Sequence, residues 1–145
     1  MRPYRLNEAD LQIPDGWQDN TIHSFVLPGD GGGAASLVIT RDMEAGDVDL
    51  SAYADQQLVR SAQQLPSYTL LSREQRAIAN RPATQSDFTW LTPEGISVRQ
   101  RQACLRLSGL VLVITLTGRN ASFADYEPVW GQVMDSIKLR PNEDS

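Results

Sequence analysis

The stretch 110–117, LVLVITLT, constrains this chain most: eight uncharged residues in a row, six of them apolar and five β-branched. Such a run reads as a strand covered on both faces. Just before it, 96–107 alternates. Val98, Gln100, Gln102 and Cys104 fall on one side, and Arg99, Arg101, Ala103 and Leu105 on the other. Ser108-Gly109 between the two runs signals a hairpin, because glycine supplies the positive φ of a tight turn. The two strands are expected at the centre of a sheet, and what covers each face becomes the question.

The rest of the chain supplies the other layers. Residues 4–6 and 11–13 alternate and are expected as short strands at the sheet's edge. Pro14-Asp15-Gly16 reads as a turn, after which Trp17 is expected to plug the end of the core. Two further strands are expected over 21–27 and 35–41, joined by a flexible hairpin loop through the glycines at 29–33. That run resembles a phosphate cradle only in composition. A P-loop needs Lys-Ser/Thr after the glycines at the opening of a helix, whereas Ala34-Ala35-Ser36 enters a strand.

A helix is expected over about 50–65, with Asp49 as cap and Pro66 as stop. Leu50, Tyr53, Ala54, Leu58, Ala62 and Leu65 form its apolar stripe, with Gln57 and Arg60 on the flanks or outer side. A four-strand meander follows over 68–78, 83–92, 96–107 and 110–118, with Thr92-Pro93-Glu94-Gly95 fitting a type I turn. A second helix is expected from near Tyr126, capped by Asp125, with Pro128 in its first turn. Tyr126, Trp130, Val133, Met134 and Ile137 form its buried stripe; Gly131 costs it roughly 1 kcal/mol against alanine, which a close helix–sheet contact would justify.

The architecture that results is α+β in one domain, 1–145: a mostly antiparallel twisted sheet of six or more strands with two amphipathic helices packed on one face. Two helices of this length cannot cover both faces of so many strands. One face is therefore expected to lie bare.

Bulk chemistry narrows the function. A net charge of −5 argues against a nucleic-acid surface and against electrostatic attachment to anionic lipid. The N-terminus lacks an apolar signal region, and no stretch approaches the ~20 apolar residues of a membrane span. A single cysteine, Cys104, makes no internal disulfide, so the cytosol is the expected compartment.

Residues able to carry chemistry are few. His23 is the only histidine, has no neighbouring ligand for a metal, and reads as a strand residue hydrogen-bonded at the core's edge. Cys104 sits mid-strand, where cysteine is usually a small apolar filler. The acidic stretch 42–49 lacks the spacing of a calcium loop. Arg99, Arg101 and Arg106, with Arg73 and Arg76, form a candidate basic strip whose expected role is pairing with acids.

The bare face carries more promise. With bulky Phe25, Leu27, Leu37 and Ile39 turned toward the helices, Ile22, Ser24, Val26, Ser36, Val38, Gln100 and Gln102 project from the other side. Small residues let a partner helix approach closely, and amides bond its polar groups. A partner protein, a loop or a dimer contact would cover such a face.

The stretch 11–28, LQIPDGWQDNTIHSFVLP, taken with ASLVITRD (35–42), QQLP (63–66) and EPVWGQVMDSI (127–137), resembles the effector-associated (Eag) chaperones of bacterial type VI secretion, within the DcrB-like family. The resemblance runs from Tyr4 to about Pro141. It implies a DcrB/PsbP-like fold and a cytoplasmic, dimeric, non-enzymatic chaperone without cofactor. Such a protein binds the hydrophobic N-terminal transmembrane segments of a secreted effector before loading onto the secretion spike, and anchors to no membrane itself. Carried over by position, the binding residues are Ile22, Ser24, Ser36, Val38 and Gln102, with Gln57 on the first helix. The alternative is a small-ligand-binding or enzymatic domain on the same sheet, using Arg99, Arg101 and Cys104.

Overall fold

The computed structural model describes residues 1–28, 35–46 and 48–141; the glycine run at 29–33 and the tail at 142–145 lie outside the described residues. Two short strands, β1 (Arg2–Arg5) and β2 (Asp10–Ile13), pair only with each other, so they form a separate ribbon and not the expected edge of the main sheet. The main sheet holds β3 (Ile22–Leu27), β4 (Ala35–Asp42), β5 (Thr69–Ile78), β6 (Arg81–Leu91), β7 (Ser97–Leu107) and β8 (Leu110–Arg119). Their spatial order is β3-β4-β8-β7-β6-β5, antiparallel throughout. The expected hairpin at Ser108-Gly109 is therefore central, with Gly109 at φ +75°.

The register sorts side chains into two faces. One row across the sheet reads Ser24, Val38, Thr115, Gln102, Ser86; the next reads Phe25, Leu37, Leu116, Arg101, Asp87. Because successive residues of a strand point to opposite faces, these rows belong to opposite sides. Helix α1 (Leu50–Gln64) packs on the first side, where Tyr53 meets Cys104, Val111 and Val113. A 3₁₀ segment (Asn120–Tyr126) and helix α2 (Glu127–Ser136) pack on the second, where Phe123, Tyr126, Trp130 and Met134 meet Ala103, Leu105, Ile114 and Leu116.

The two helices thus lie on opposite faces, which corrects the expectation that both share one. The reason is in β7 and β8: Ala103, Leu105, Ile114 and Leu116 present apolar groups on one side and Cys104, Val111 and Val113 on the other, so each side must be removed from water there, at roughly 25 cal/mol per Å² buried. The larger cluster goes to α2 and the smaller to α1.

Local signals hold α1 in place. The Asp49 carboxylate accepts from the Ala52 amide at 3.2 Å, satisfying one of the helix's orphan donors. Tyr53 donates its hydroxyl to Asp42 Oδ2 at 2.8 Å, and Arg73 of β5 reaches the Ser51 carbonyl at 2.9 Å and the Asp55 carboxylate. Helix α2 starts at Glu127 behind the 3₁₀ turn, without the expected Asp125 side-chain cap. Gly118 lies beside this turn, where a Cβ would stand in ordinary contact, 3.4 Å from Ala35 and 3.7 Å from Phe123. Gly131 has open space around it, so no close contact accounts for it.

Candidate functional site

Helix α1 lies over β6 and β7 and leaves the β3–β4 side of its face open. There Ile22 is 63% and Val26 76% exposed, Ser24 is exposed, and Ser36, Val38, Gln100 and Gln102 are half-buried. The seven strand residues singled out from the sequence therefore share one face. Gln57 joins them from the flank of α1: with Gln102, Thr40, Thr115 and Arg60 it lines a hollow of about 400 Å³. The Trp90 indole donates to Gln100 Oε1 at 2.6 Å, which fixes that amide and leaves its NH₂ for another partner.

Sequence reasoning missed Thr40, Thr115 and Thr117, which stand on the same face. The parity of 110–117 carried that signal, since Thr115 and Thr117 alternate with Ile114 and Leu116. The resulting strip runs from apolar at the β3 edge to hydroxyls on β4 and β8 and amides on β7 and α1. It can desolvate an apolar surface and offer that surface hydrogen bonds.

The opposite face is built differently. Asp87, 2% exposed, accepts from Arg101 Nε at 2.8 Å, from Arg101 Nη2 at 2.9 Å and from Arg99 Nε at 3.1 Å. Arg101 also forks onto Glu127 at the start of α2, at 2.6 and 2.7 Å. The Phe123 ring lies 4.8 Å from the Arg99 guanidinium and 5.4 Å from that of Arg101. Burial by itself would raise the Asp87 carboxyl, but hydrogen bonds and charge from the two arginines outweigh it and hold it below the usual carboxylate range. The Glu127 carboxyl is lowered too, chiefly by its bond to Arg101. This network ties α2 to the sheet. Beside it a wholly apolar cleft of about 400 Å³ opens between α2 and β3–β4, lined by residues that include Phe25, Leu37, Trp130 and Val133.

The same geometry disposes of the site imagined around Arg99, Arg101 and Cys104. Both arginines lie on the α2 face with their donors committed to carboxylates, while Cys104 lies under α1 on the other face. The three cannot meet around one ligand. Burial pushes the Cys104 thiol up to about 11, so it is not an activated nucleophile. The basic strip dissolves as well: Arg73 bonds Asp55, Arg76 bonds Gln85, and Arg106 holds the Gly46 and Val48 carbonyls. Trp17 is 63% exposed beside the β1–β2 ribbon and plugs no core. His23 is exposed on the α2 face at the sheet edge, without a hydrogen-bond partner among the described residues.

A sheet of this order flanked by one helix on each face defines a recognisable class. The DcrB family model matches residues 8–136, and the chain belongs to that family. Among individual relatives it is 39% identical over 142 residues to Effector EagT6 of Pseudomonas aeruginosa, covering 97% of this chain and 98% of that protein. A crystal structure of PA94 from the same species, described as a protein of unknown function, superposes with a TM-score of 0.84 at 39% identity over 97% of this chain and 98% of the other. Two distant structures share the fold. LpqN of Mycobacterium tuberculosis, described as involved in cell envelope biogenesis, has a TM-score of 0.52 at 17% identity over 91% of this chain and 83% of its own. The PsbP protein of Synechocystis sp. PCC 6803 has a TM-score of 0.54 at 9% identity over 96% and 92%. The DcrB and PsbP likenesses expected from the sequence are both found. No helix among the described residues is long and apolar enough to cross a membrane.

Proposed function

We propose that this chain is a type VI secretion chaperone of the bacterial cytoplasm. It holds the hydrophobic N-terminal segments of a secreted effector on the open part of its α1 face until the effector is loaded onto the secretion spike. One observation carries the reading: Ile22, Ser24, Val26, Ser36, Val38, Gln100, Gln102 and Gln57 converge on one strip that α1 leaves uncovered. The kinship with the protein named Effector EagT6, together with the resemblance to the effector-associated chaperones, supports the effector as partner. Because α1 covers β6, β7 and one end of β8 but not the β3–β4 side, the strip does not depend on a wholly bare sheet.

The role is non-enzymatic and needs no nucleotide or other cofactor. Ile22, Val26 and Val38 supply affinity by desolvation, and Ser24, Ser36, Gln57, Gln100 and Gln102 receive the polar groups that membrane helices carry. The chaperone works as a homodimer, so that one assembly shelters more than one apolar segment.

Co-expression with the N-terminal segment of an effector tests this. The segment moves from the pellet to the soluble fraction with the native chain and stays in the pellet with Val38→Asp. A segment equally insoluble with and without the native chain overturns the proposal.

A further inference from the structure

The apolar cleft between α2 and β3–β4 continues into a second hollow of about 770 Å³, bordered by the turn that joins β1 to β2, and Ile39 lines both. The register explains the continuity. Leu37 stands beside Leu116, Ile39 beside Ile114 and Arg41 beside Leu112, three successive rows on one face of the sheet. Together the two hollows form one groove on the α2 face.

The two ends of this groove differ in chemistry. No polar side chain lines the end under α2, and the indole N–H of Trp130 is taken up by Gln85 Oε1 at 3.1 Å. At the other end His23, Arg5, Arg41 and Arg140 stand against Glu8 and Asp19. Asp19 is held by Arg41 at 3.1 Å and by the Thr21 amide at 2.9 Å, and Arg5 leans on Asp10 at 3.5 Å. Arg140 and His23 have no hydrogen-bond or ion-pair partner among the described residues.

We propose that this groove binds a fatty acid, its alkyl chain in the cleft under α2 and its carboxylate at Arg140 and His23. A peptide entering the cleft would bring N–H and C=O groups that find no partner there, and each is costly to bury unpaired. An alkyl chain brings none. A guanidinium donates in a fork that matches a carboxylate, so the charged headgroup and the apolar chain each meet their complement. The cleft of about 400 Å³ suits a single small apolar ligand. A net charge of −5 disfavours an anionic bilayer, so the ligand is the free acid and not a membrane lipid. The groove and the open strip lie on opposite faces, so this inference stands apart from the chaperone reading.

Titration calorimetry of the full chain with dodecanoate, kept below its micelle concentration, tests it. One dodecanoate is expected per chain. Val129 and Phe25 stand at the lips, 37% and 53% exposed, so changes there spare the core. Val129→Asp is expected to weaken binding at least about tenfold, and Phe25→Asn to act in the same direction. Arg140→Gln is expected to weaken dodecanoate about threefold or more while leaving dodecanol unchanged. Val38→Asp, on the other face, should alter neither. Absence of dodecanoate binding overturns the proposal, and so does binding that Val38→Asp weakens and Val129→Asp does not. An equal loss of dodecanol with Arg140→Gln overturns the place given to the headgroup. Affinity that falls as the chain is concentrated would show a second copy covering the cleft. Co-sedimentation with vesicles of phosphatidylcholine and phosphatidylglycerol, abolished by Val129→Asp, would make a bilayer the occupant. Either of these last results overturns the free acid as ligand.

Discussion

On one face of the six strands, α2 is fastened by a buried arginine that spans two carboxylates. On the other, α1 is held by an apolar cluster, a capping aspartate and a few exposed polar bonds. The difference is one of completeness. The α2 face holds the larger apolar cluster and reinforces it with Asp87, Arg101 and Glu127. The α1 face buries only Tyr53, Ala54 and Leu58 from its helix and leaves its β3–β4 part to isoleucine, valine, serine and threonine, bordered by the glutamines of β7 and α1. One face is therefore closed by its helix and ion network, and the other leaves part of the sheet uncovered.

The largest effect expected from this contrast is on the α2 face. Asp87→Ala leaves Arg101 buried with half its partners gone, a class of change costing about 3–5 kcal/mol; urea unfolding measures it. A loss under about 1 kcal/mol would mean that packing alone fastens α2.

Acid should erase part of the same contribution. The Asp87 and Glu127 carboxyls lie below their ordinary values in the folded chain. Their stabilisation is thus fully present above the unfolded carboxylate pKa of about 4 and is lost as pH falls through the lowered folded values. The stability gap between the native chain and Asp87→Asn should accordingly be wide at pH 7 and narrow steadily below about pH 4. A gap constant across that range would show that the carboxylate charge is idle.

On the α1 face the effects should fall on binding and spare the fold. Val38→Asp places a carboxylate in the apolar strip and should weaken capture of an apolar segment at least about tenfold. Because Val38 is half-exposed, the melting temperature should drop only slightly. Gln102→Ala removes one amide and should cost about 1 kcal/mol of binding, near the worth of a single hydrogen bond. The smallest effect is at Cys104: with its thiol buried and pushed up to about 11, the native chain should resist iodoacetamide at pH 8 and react only once unfolded. Rapid native labelling would show α1 opening from the sheet.

Much of the fold was legible residue by residue. The apolar run at 110–117 marked the sheet's centre, Asp49 marked the start of α1, and Thr92-Pro93-Glu94-Gly95 closes as expected, with the Gly95 amide on the Thr92 carbonyl at 2.8 Å. The strip was legible too, because strand alternation groups Ile22 with Ser24 and Val26 whatever lies above them. The start of β6 was not: β5 ends at Ile78 as expected, but β6 begins at Arg81 and not at 83, because the turn is only Ala79-Asn80, both at positive φ and without the glycine that usually signals so tight a turn. Trp17 misled for a different reason, since its bulk suggested the core while its place beside the isolated ribbon leaves it in water.

Local spacing and turn chemistry settled by themselves that this chain makes a meander of alternating strands, two amphipathic helices and one strip mixing apolar groups with amides. Which side each helix takes was decided only in three dimensions. Strand β8 carries apolar residues on both faces, Ile114 and Leu116 on one and Val111 and Val113 on the other, so its pattern admits a helix on either, and an apolar stripe carries no record of which face it will meet. The link from Asp87 through Arg101 to Glu127 joins residues 14 and 26 positions apart along the chain, a separation at which no periodicity operates. Only the folded sheet brings them within a hydrogen bond.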